Sequence, residues 1–166
     1  QGGSTLTQQV AKNLFLTPER TLKRKVQELL LALWLEQKFS KDQILTVYLN
    51  RVYLGAGTYG VEAAAKRYFR KSARSLNTYE AAMLAGLLKA PSRYNPAASR
   101  KRAHERTAQV LANMVAAGYL TEGDRASLKA GAGSVKPVKT SRKSRYFSDW
   151  VLARVSDFVS PGDTDI

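Results

Sequence analysis

The sequence contains no cysteine, one histidine and no long apolar run. The absence of cysteine excludes disulfide bonds, thiolate zinc sites and cysteine nucleophiles, and a single histidine excludes a zinc helix with two histidine ligands. The longest apolar run, residues 29–35, is far shorter than the roughly 20 residues that cross a bilayer, and the first residues do not resemble a signal peptide. No Walker, dinucleotide or S-x-x-K motif occurs. These absences exclude the simplest nucleotide-binding and acyl-serine functions.

What the sequence does contain is positive charge. Its 166 residues suit one domain, and 27 Lys and Arg against 13 Asp and Glu give a net charge of +14. Such a chain favours an anionic partner: nucleic acid, a membrane surface or a phosphorylated substrate. The excess is +8 over residues 1–75 and +6 over residues 76–166. Because this charge is spread out and a nucleic-acid interface needs it gathered on one face, we expect no nucleic-acid partner.

The pattern of apolar residues and capping residues predicts an all-α fold. Apolar residues from Leu22 to Trp34 recur at helical spacing, which predicts a long helix ending near Lys38. We expect residues 50–60, with three glycines, to form an irregular connection and residues 90–96 a loop, followed by a helix over residues 97–116. Five residues have the chemistry of helix caps: Ser4, Thr17 (before Pro18), Ser40, Asn77 (in a capping box with Glu80) and Thr121. No alternating run is long enough to predict a sheet.

Composition divides the chain into three parts. Residues 1–130 have the helical pattern of a compact domain, and residues 131–145 are rich in basic, small and breaker residues, as in a flexible basic linker. An aromatic and apolar pattern resumes over residues 146–166, and we expect this last segment to pack against a part that the sequence does not contain.

Polar residues cluster at the start of the first predicted helix. Residues 2–13 bring two glycines, several hydroxyls and amides, and a lysine to a helix N-terminus, where free N–H groups favour anions. This pattern is equally typical of a capped surface helix. His104, which lies among Lys and Arg, is expected to be a surface residue.

A second cluster lies on the long helix. Arg20 and Arg24, and Lys25 and Glu28, are spaced to share helix stripes. A carboxylate beside Lys25 would stay ionised, which suits electrostatic or base work on a sugar phosphate. The alternative is an ordinary helical salt bridge.

Four stretches, in order, resemble the motifs of the peptidoglycan glycosyltransferase family. Residues 2–13 are similar to G-[GA]-S-T-[IL]-T-Q-Q-x-x-K-N and residues 24–28 to R-K-x-x-E. Residues 41–50 are similar to K-x-x-I-L-x-x-Y-L-N and residues 106–114 to R-x-x-x-V-L-x-x-M. Domains of this family form the N-terminal half of class A penicillin-binding proteins. The resemblance covers about 115 residues.

The resemblance implies a lysozyme-like all-α domain that polymerises lipid II and releases undecaprenyl diphosphate. It assigns Glu28 as a functional glutamate that assists at the diphosphate, with a divalent cation, Mg or Mn, as a possible cofactor there. It also implies a substrate-binding set that holds the diphosphate and lines the sugar cleft: Ser4, Thr5, Gln8, Gln9, Lys12, Asn13, Arg20, Arg24 and Lys25. No metal-ligand set beyond Glu28 is expected.

The resemblance further implies that parts of the family's pattern lie outside this sequence. The acidic motif that carries the catalytic base, and a membrane anchor, precede the segment resembling residues 2–13, and a transpeptidase domain follows the glycosyltransferase domain. We therefore expect an internal part of a class A penicillin-binding protein that is inactive alone and belongs at the periplasmic face of the cytoplasmic membrane. The alternative is a basic module that binds lipid diphosphate or nucleic acid without catalysis.

Overall fold

Eight α-helices and one 3₁₀ turn make up the part of the chain that the structure describes. The computed structural model describes residues 4–16 and 21–130. In chain order the helices are α1 Leu6–Phe15, α2 Leu22–Lys38, α3 Lys41–Arg51, α4 Val61–Phe69, α5 Thr78–Leu87, α6 Pro91–Tyr94, α7 Arg100–Ala116 and α8 Glu122–Ala130, with the 3₁₀ turn Ala73–Ser75 before α5. Within the described ranges no strand occurs, and an isolated antiparallel bridge joins Tyr53 and Tyr59. The all-α prediction is confirmed.

The helix ends show which capping predictions hold. Ser40, Asn77 and Thr121 cap α3, α5 and α8 through their side chains, as predicted. The first helix differs, since its N-cap is Thr5 and not Ser4. The long second helix begins at Leu22, and Thr21 is its cap. The predicted helix from Thr17 is therefore wrong at Thr21, which has an extended backbone. Residues 17–20 lie outside the described residues.

Two further boundaries differ from the sequence-based expectation. Residues 90–96 contain the short helix α6, which begins at Pro91 because proline is favourable at a first helical position. The following helix begins only at Arg100, where Ser99 supplies the cap. The expected basic linker over residues 131–145 and the segment over residues 146–166 lie outside the described residues.

Helix α5 lies at the centre of the core. Its buried residues surround most of the helix: Tyr79, Glu80, Ala82, Met83, Leu84, Gly86 and Leu87. Gly86 allows α7 to approach closely, because a Cβ there would lie 3.1 Å from Cγ of Arg106. Such burial on nearly all sides is typical of a helix in the interior of a fold, and α1 to α3 contribute residues to the same apolar cluster.

Helix α2 buries an unexpected face. Glu28, Ala32 and Leu35 are its buried residues, and their spacing of four and three places them on one side. The apolar residues that predicted the helix lie on the other side and are exposed: Leu22, Val26, Leu29, Leu30, Leu33 and Trp34. We call these six residues the apolar stripe. The helix is confirmed, but its apolar side does not face the core.

Candidate active site

Glu28 is a carboxylate in the middle of a helix with almost no solvent access. Its exposure is 2%, although it sits among charged neighbours on α2. Burying a carboxylate is costly unless charged donors surround it. Ser4, which precedes the neighbouring helix α1, contacts the carboxylate through its hydroxyl.

Three side chains donate hydrogen bonds to Glu28. Arg24 Nη1 lies 2.8 Å from Oε2, and Lys25 Nζ lies 2.5 Å from Oε1. Ser4 Oγ donates to Oε1 from 3.2 Å, which joins the start of α1 to the middle of α2. Both carboxylate oxygens are therefore held by charge-assisted hydrogen bonds.

These contacts fix the protonation state of Glu28. Burial raises the pKa of its carboxyl, but the hydrogen bonds from Lys25 and Arg24, the charge of Lys25 and the hydroxyl of Ser4 together outweigh burial and hold the pKa below its ordinary value. Glu28 is thus ionised at neutral pH. Together with Arg24 and Lys25 it forms a cluster of net charge +1, and the Lys25 side chain remains 50% exposed.

A second buried carboxylate shows what a purely structural one does in this fold. Glu80, on α5, is 3% exposed. It accepts from the backbone N–H of Asn77 at 2.9 Å, which completes a capping box, and from Lys71 Nζ at 2.8 Å. Glu28 caps no helix end, so helix capping does not explain its burial.

The start of α1 gathers most of the predicted polar residues beside Glu28. Thr5 and Gln8 form a capping box, and Oε1 of Gln8 also lies 3.1 Å from Ser4 Oγ. Gln9 donates from Nε2 to the carbonyl of Ser4 at 3.4 Å. The structure therefore brings Ser4, Thr5, Gln8, Gln9, Arg24, Lys25 and Glu28 into one neighbourhood.

Two of the predicted residues have no contact with this neighbourhood within the described part of the chain. Lys12 and Asn13 are exposed on α1, and within the described ranges neither has a hydrogen bond or ion pair to Glu28. Lys12 lies one turn beyond Gln8 and so shares its side of α1. Arg20 lies outside the described residues.

The residues that the structure describes around Glu28 do not fit a divalent cation. Hard cations such as Mg²⁺ take oxygen ligands, but both oxygens of Glu28 already accept hydrogen bonds from cationic side chains. Among the described residues no group of three His, Cys, Asp or Glu side chains could hold a metal ion.

Sequence reasoning missed two polar contacts that hold α1 in place. Thr7, which is buried, donates to Oε1 of Glu36 at 2.6 Å, and the hydroxyl of Tyr48 donates to Oε1 of Gln9 at 3.3 Å. Tyr48 falls inside a family-like motif, but its spacing indicates only an apolar helix face. The expectation for His104 was also wrong: it is half-buried, and its Nδ1 lies 2.6 Å from the hydroxyl of Tyr79.

Comparisons with known proteins identify the family of this chain. A family model described as Transglycosylase matches residues 1–115. The chain is 48% identical over 160 residues to penicillin-binding protein 1A of Aquifex aeolicus, covering 96% of this chain and 21% of that protein. It is 52% identical over 122 residues to penicillin-binding protein 1A of Escherichia coli, covering 74% of this chain and 14% of that protein.

A solved structure is also similar to this chain. The crystal structure of penicillin-binding protein 1A from Haemophilus influenzae matches 96% of this chain and 20% of its own chain, with a TM-score of 0.60 and 26% identity. The chain therefore belongs to the transglycosylase family, as its motifs indicate. It resembles the part of class A penicillin-binding proteins that carries this domain, and it spans about a fifth or less of the length of these relatives. None of the described helices is both long enough and apolar enough to cross a membrane.

Proposed function

We propose that this chain contributes the diphosphate side of a peptidoglycan glycosyltransferase site, in which lipid II is polymerised into glycan strands with release of undecaprenyl diphosphate. The observation that carries the proposal is the buried, ionised Glu28, which holds Arg24 and Lys25 beside the hydroxyls and amides of α1. Membership of the transglycosylase family supports the class of reaction.

The cluster suits a leaving group whose negative charge grows in the transition state. Glu28 is ionised, so it is not a proton donor at neutral pH, and its role is to orient the two cations. A diphosphate oxygen at about 4 Å from one cation gains roughly 4 kcal/mol at an effective dielectric near 20. Preorganised cations stabilise such a departing charge without reorganisation during the reaction. Lys12 and Arg20 complete the proposed diphosphate contacts, and Ser4, Thr5, Gln8, Gln9 and Asn13 the sugar contacts.

We further propose that the site works at the outer face of the bacterial cytoplasmic membrane. The apolar stripe on α2 is exposed, with Trp34 at 48% and Leu30 at 60%, and the chain carries a net charge of +14. Basic residues near an anionic membrane add about 1 kcal/mol each. An apolar surface within a basic chain suits an anionic lipid interface, where the substrate lipid II resides.

The catalytic base is proposed to come from the family's acidic motif, which in relatives precedes the segment resembling residues 2–13. Because a positioned general base contributes about 10²- to 10⁴-fold in rate, the 166-residue chain alone is expected to show little or no glycan elongation. The transpeptidase domain of the longer relatives is proposed as the neighbour of this domain in the full protein.

The test is a lipid II polymerisation assay on a chain extended at its N-terminus by that acidic segment. We expect elongation by the extended chain, and a loss of at least about 100-fold when Glu28→Gln releases Arg24 and Lys25. Glu122→Gln is the matched control, since Glu122 forms an exposed pair with Arg125 on α8. An extended, folded chain that cannot elongate glycan would refute the proposal.

Binding without turnover is the second candidate. Vesicle sedimentation with and without lipid II separates it from general charge attraction: a chain that binds lipid II vesicles more tightly than plain anionic vesicles, yet never elongates glycan after extension, is a lipid-diphosphate binding module.

A further inference from the structure

The hydroxyl of Tyr48 lies at a place where packing alone does not call for one. Tyr48 is on α3 and only 4% exposed, within the apolar cluster that also contains Val10 and Ala11 of α1. Burying a hydroxyl is unfavourable unless it finds a partner. Its partner is Oε1 of Gln9 at 3.3 Å, so the hydroxyl reaches out of the core to α1.

Gln9 connects Tyr48 to Ser4, the residue whose hydroxyl contacts Glu28. Its amide Nε2 donates to the backbone carbonyl of Ser4 at 3.4 Å. That carbonyl precedes Thr5, whose own carbonyl accepts the first intrahelical bond of α1 from Gln9 N at 3.0 Å. The carbonyl of Ser4 therefore lies outside the backbone hydrogen bonds of α1, and the side chain of Gln9 is the donor that the structure gives it.

The orientation of Ser4 decides where its single hydroxyl proton goes. Two acceptors lie within reach of Ser4 Oγ: Oε1 of Gln8 at 3.1 Å and Oε1 of Glu28 at 3.2 Å. A hydroxyl has one proton to donate, so these acceptors compete, and a small rotation of the backbone at Ser4 changes the outcome. The hydrogen bonds from Tyr48 to Gln9 at 3.3 Å and from Gln9 to the carbonyl of Ser4 at 3.4 Å act on that backbone.

We propose that Tyr48 is a positioning residue of the candidate site, which acts through Gln9 to hold Ser4 so that its hydroxyl donates to Glu28. Its effect on catalysis rests on the proposed function, but its effect on Glu28 does not. The hydrogen-bonded chain joins α3, α1 and α2, so the core side of the fold sets the geometry of the charged cluster.

The variant Tyr48→Phe tests this by removing the hydroxyl and keeping the ring. The matched control is Tyr68→Phe, because Tyr68 is also a buried tyrosine and donates to the carbonyl of Leu54 at 2.8 Å, away from Ser4. NMR titration of the side-chain carboxyl carbon of Glu28 in the 166-residue chain is the readout. Tyr48→Phe is expected to shift the midpoint upward, since Glu28 loses the Ser4 donor, while Tyr68→Phe leaves the midpoint in place.

The double variant separates positioning from a general loss of stability. Ser4→Ala shifts the midpoint upward directly, and adding Tyr48→Phe to it is expected to produce no further shift, because both changes remove the same hydrogen bond. In the extended chain, Tyr48→Phe is expected to lower kcat for elongation by about 3- to 10-fold with little change in KM.

Two results overturn the inference. One is a folded Tyr48→Phe chain whose Glu28 midpoint stays at the wild-type value, whatever its melting temperature. The other is additivity of Ser4→Ala and Tyr48→Phe in the midpoint. Both are measured without substrate, so a failure of the glycosyltransferase proposal does not affect them.

Discussion

At the scale of single residues, two buried carboxylates behave differently. Glu80 accepts hydrogen bonds from the backbone at the start of α5 and from Lys71. Glu28, in the middle of α2, instead binds two cationic side chains and accepts a third hydrogen bond from the hydroxyl of Ser4. The second arrangement leaves a net positive charge and a half-exposed Lys25. Helix capping therefore explains the burial of Glu80 but not that of Glu28.

Replacing Glu28 measures the stability that this cluster contributes. Glu28→Gln leaves Arg24, 16% exposed at its side chain, without its counter-ion, and we expect unfolding free energy at pH 7 to fall by about 2 kcal/mol. This is below the 3–5 kcal/mol typical of a fully buried pair because Lys25 is half exposed. Urea denaturation checks the value, and Glu122→Gln on the exposed pair of α8 is expected to cost under about 0.5 kcal/mol.

The same variant predicts a pH dependence. The pKa of Glu28 in the folded state is lowered from 4.5, so the stability it contributes is fully present above the unfolded value and is lost as the pH falls through the folded pKa. The stability gap between the wild type and Glu28→Gln should therefore be constant from pH 7 to about 5 and narrow at lower pH. A gap that widens on acidification would contradict the ionised assignment.

The sequence predicts which residues belong to the candidate site more readily than it predicts the contacts between them. Spacing alone pairs Lys25 with Glu28, because residues three apart on a helix are neighbours. It leaves open whether the pair is buried, since burial depends on α1 packing over α2. The contacts of Ser4 and Tyr48 are between residues 24 and 39 positions apart, and no local pattern encodes such distances.

At the scale of elements, the connection between α3 and α4 shows how glycine permits close packing. Gly55, Gly57 and Gly60 all have positive φ, as the three glycines of this segment suggest. At Gly60 a Cβ would lie 2.6 Å from the carbonyl oxygen of Asn50, while at Gly57 it would meet nothing within 4 Å. The two positions have similar φ angles, 73° at Gly57 and 81° at Gly60, and they differ in the space around the Cβ position.

This difference gives a matched pair of substitutions. Gly57→Ala is expected to cost about 1–2 kcal/mol, the strain of a left-handed alanine. Gly60→Ala adds a clash with backbone that cannot rotate away, so its loss of unfolding free energy should be larger by at least about 1 kcal/mol. Thermal or urea unfolding of both variants measures the difference. Equal losses of unfolding free energy would show that the backbone at the end of α3 moves away from the added Cβ without loss of stability.

Elements were predicted best where a cap is local. The capping boxes of α3 and α5 involve residues three apart, so their starts could be located from the sequence. The orientation of α2 could not, because helical spacing identifies an apolar side without saying which partner covers it. The apolar residues that α2 buries are instead Ala32 and Leu35, and Leu35 belongs to the same apolar cluster as Val10 of α1.

At the scale of the whole molecule, α2 has two sides with different surroundings. One side holds Glu28 under α1, and the other carries the apolar stripe. Because both belong to one helix of 17 residues, binding the stripe to a lipid surface fixes the height of the charged cluster above that surface. This geometry suits a substrate whose diphosphate lies at the membrane interface and whose lipid tail stays in the bilayer.

Vesicle binding tests this arrangement with two exposed positions. Leu30→Gln removes an apolar side chain from the stripe, where Leu30 is 60% exposed, and Tyr119→Gln removes one from the connection between α7 and α8, where Tyr119 is 79% exposed. Gln keeps helix propensity close to that of Leu, and burying a leucine is worth about 1.5–3 kcal/mol. We therefore expect Leu30→Gln to weaken sedimentation with anionic vesicles by about 10-fold and Tyr119→Gln to leave it unchanged.

Raising the salt concentration should weaken vesicle binding by wild type and by both variants by the same factor, since neither substitution alters charge. Equal binding by Leu30→Gln and wild type would mean that charge alone holds the chain at the membrane and that the stripe faces something other than lipid.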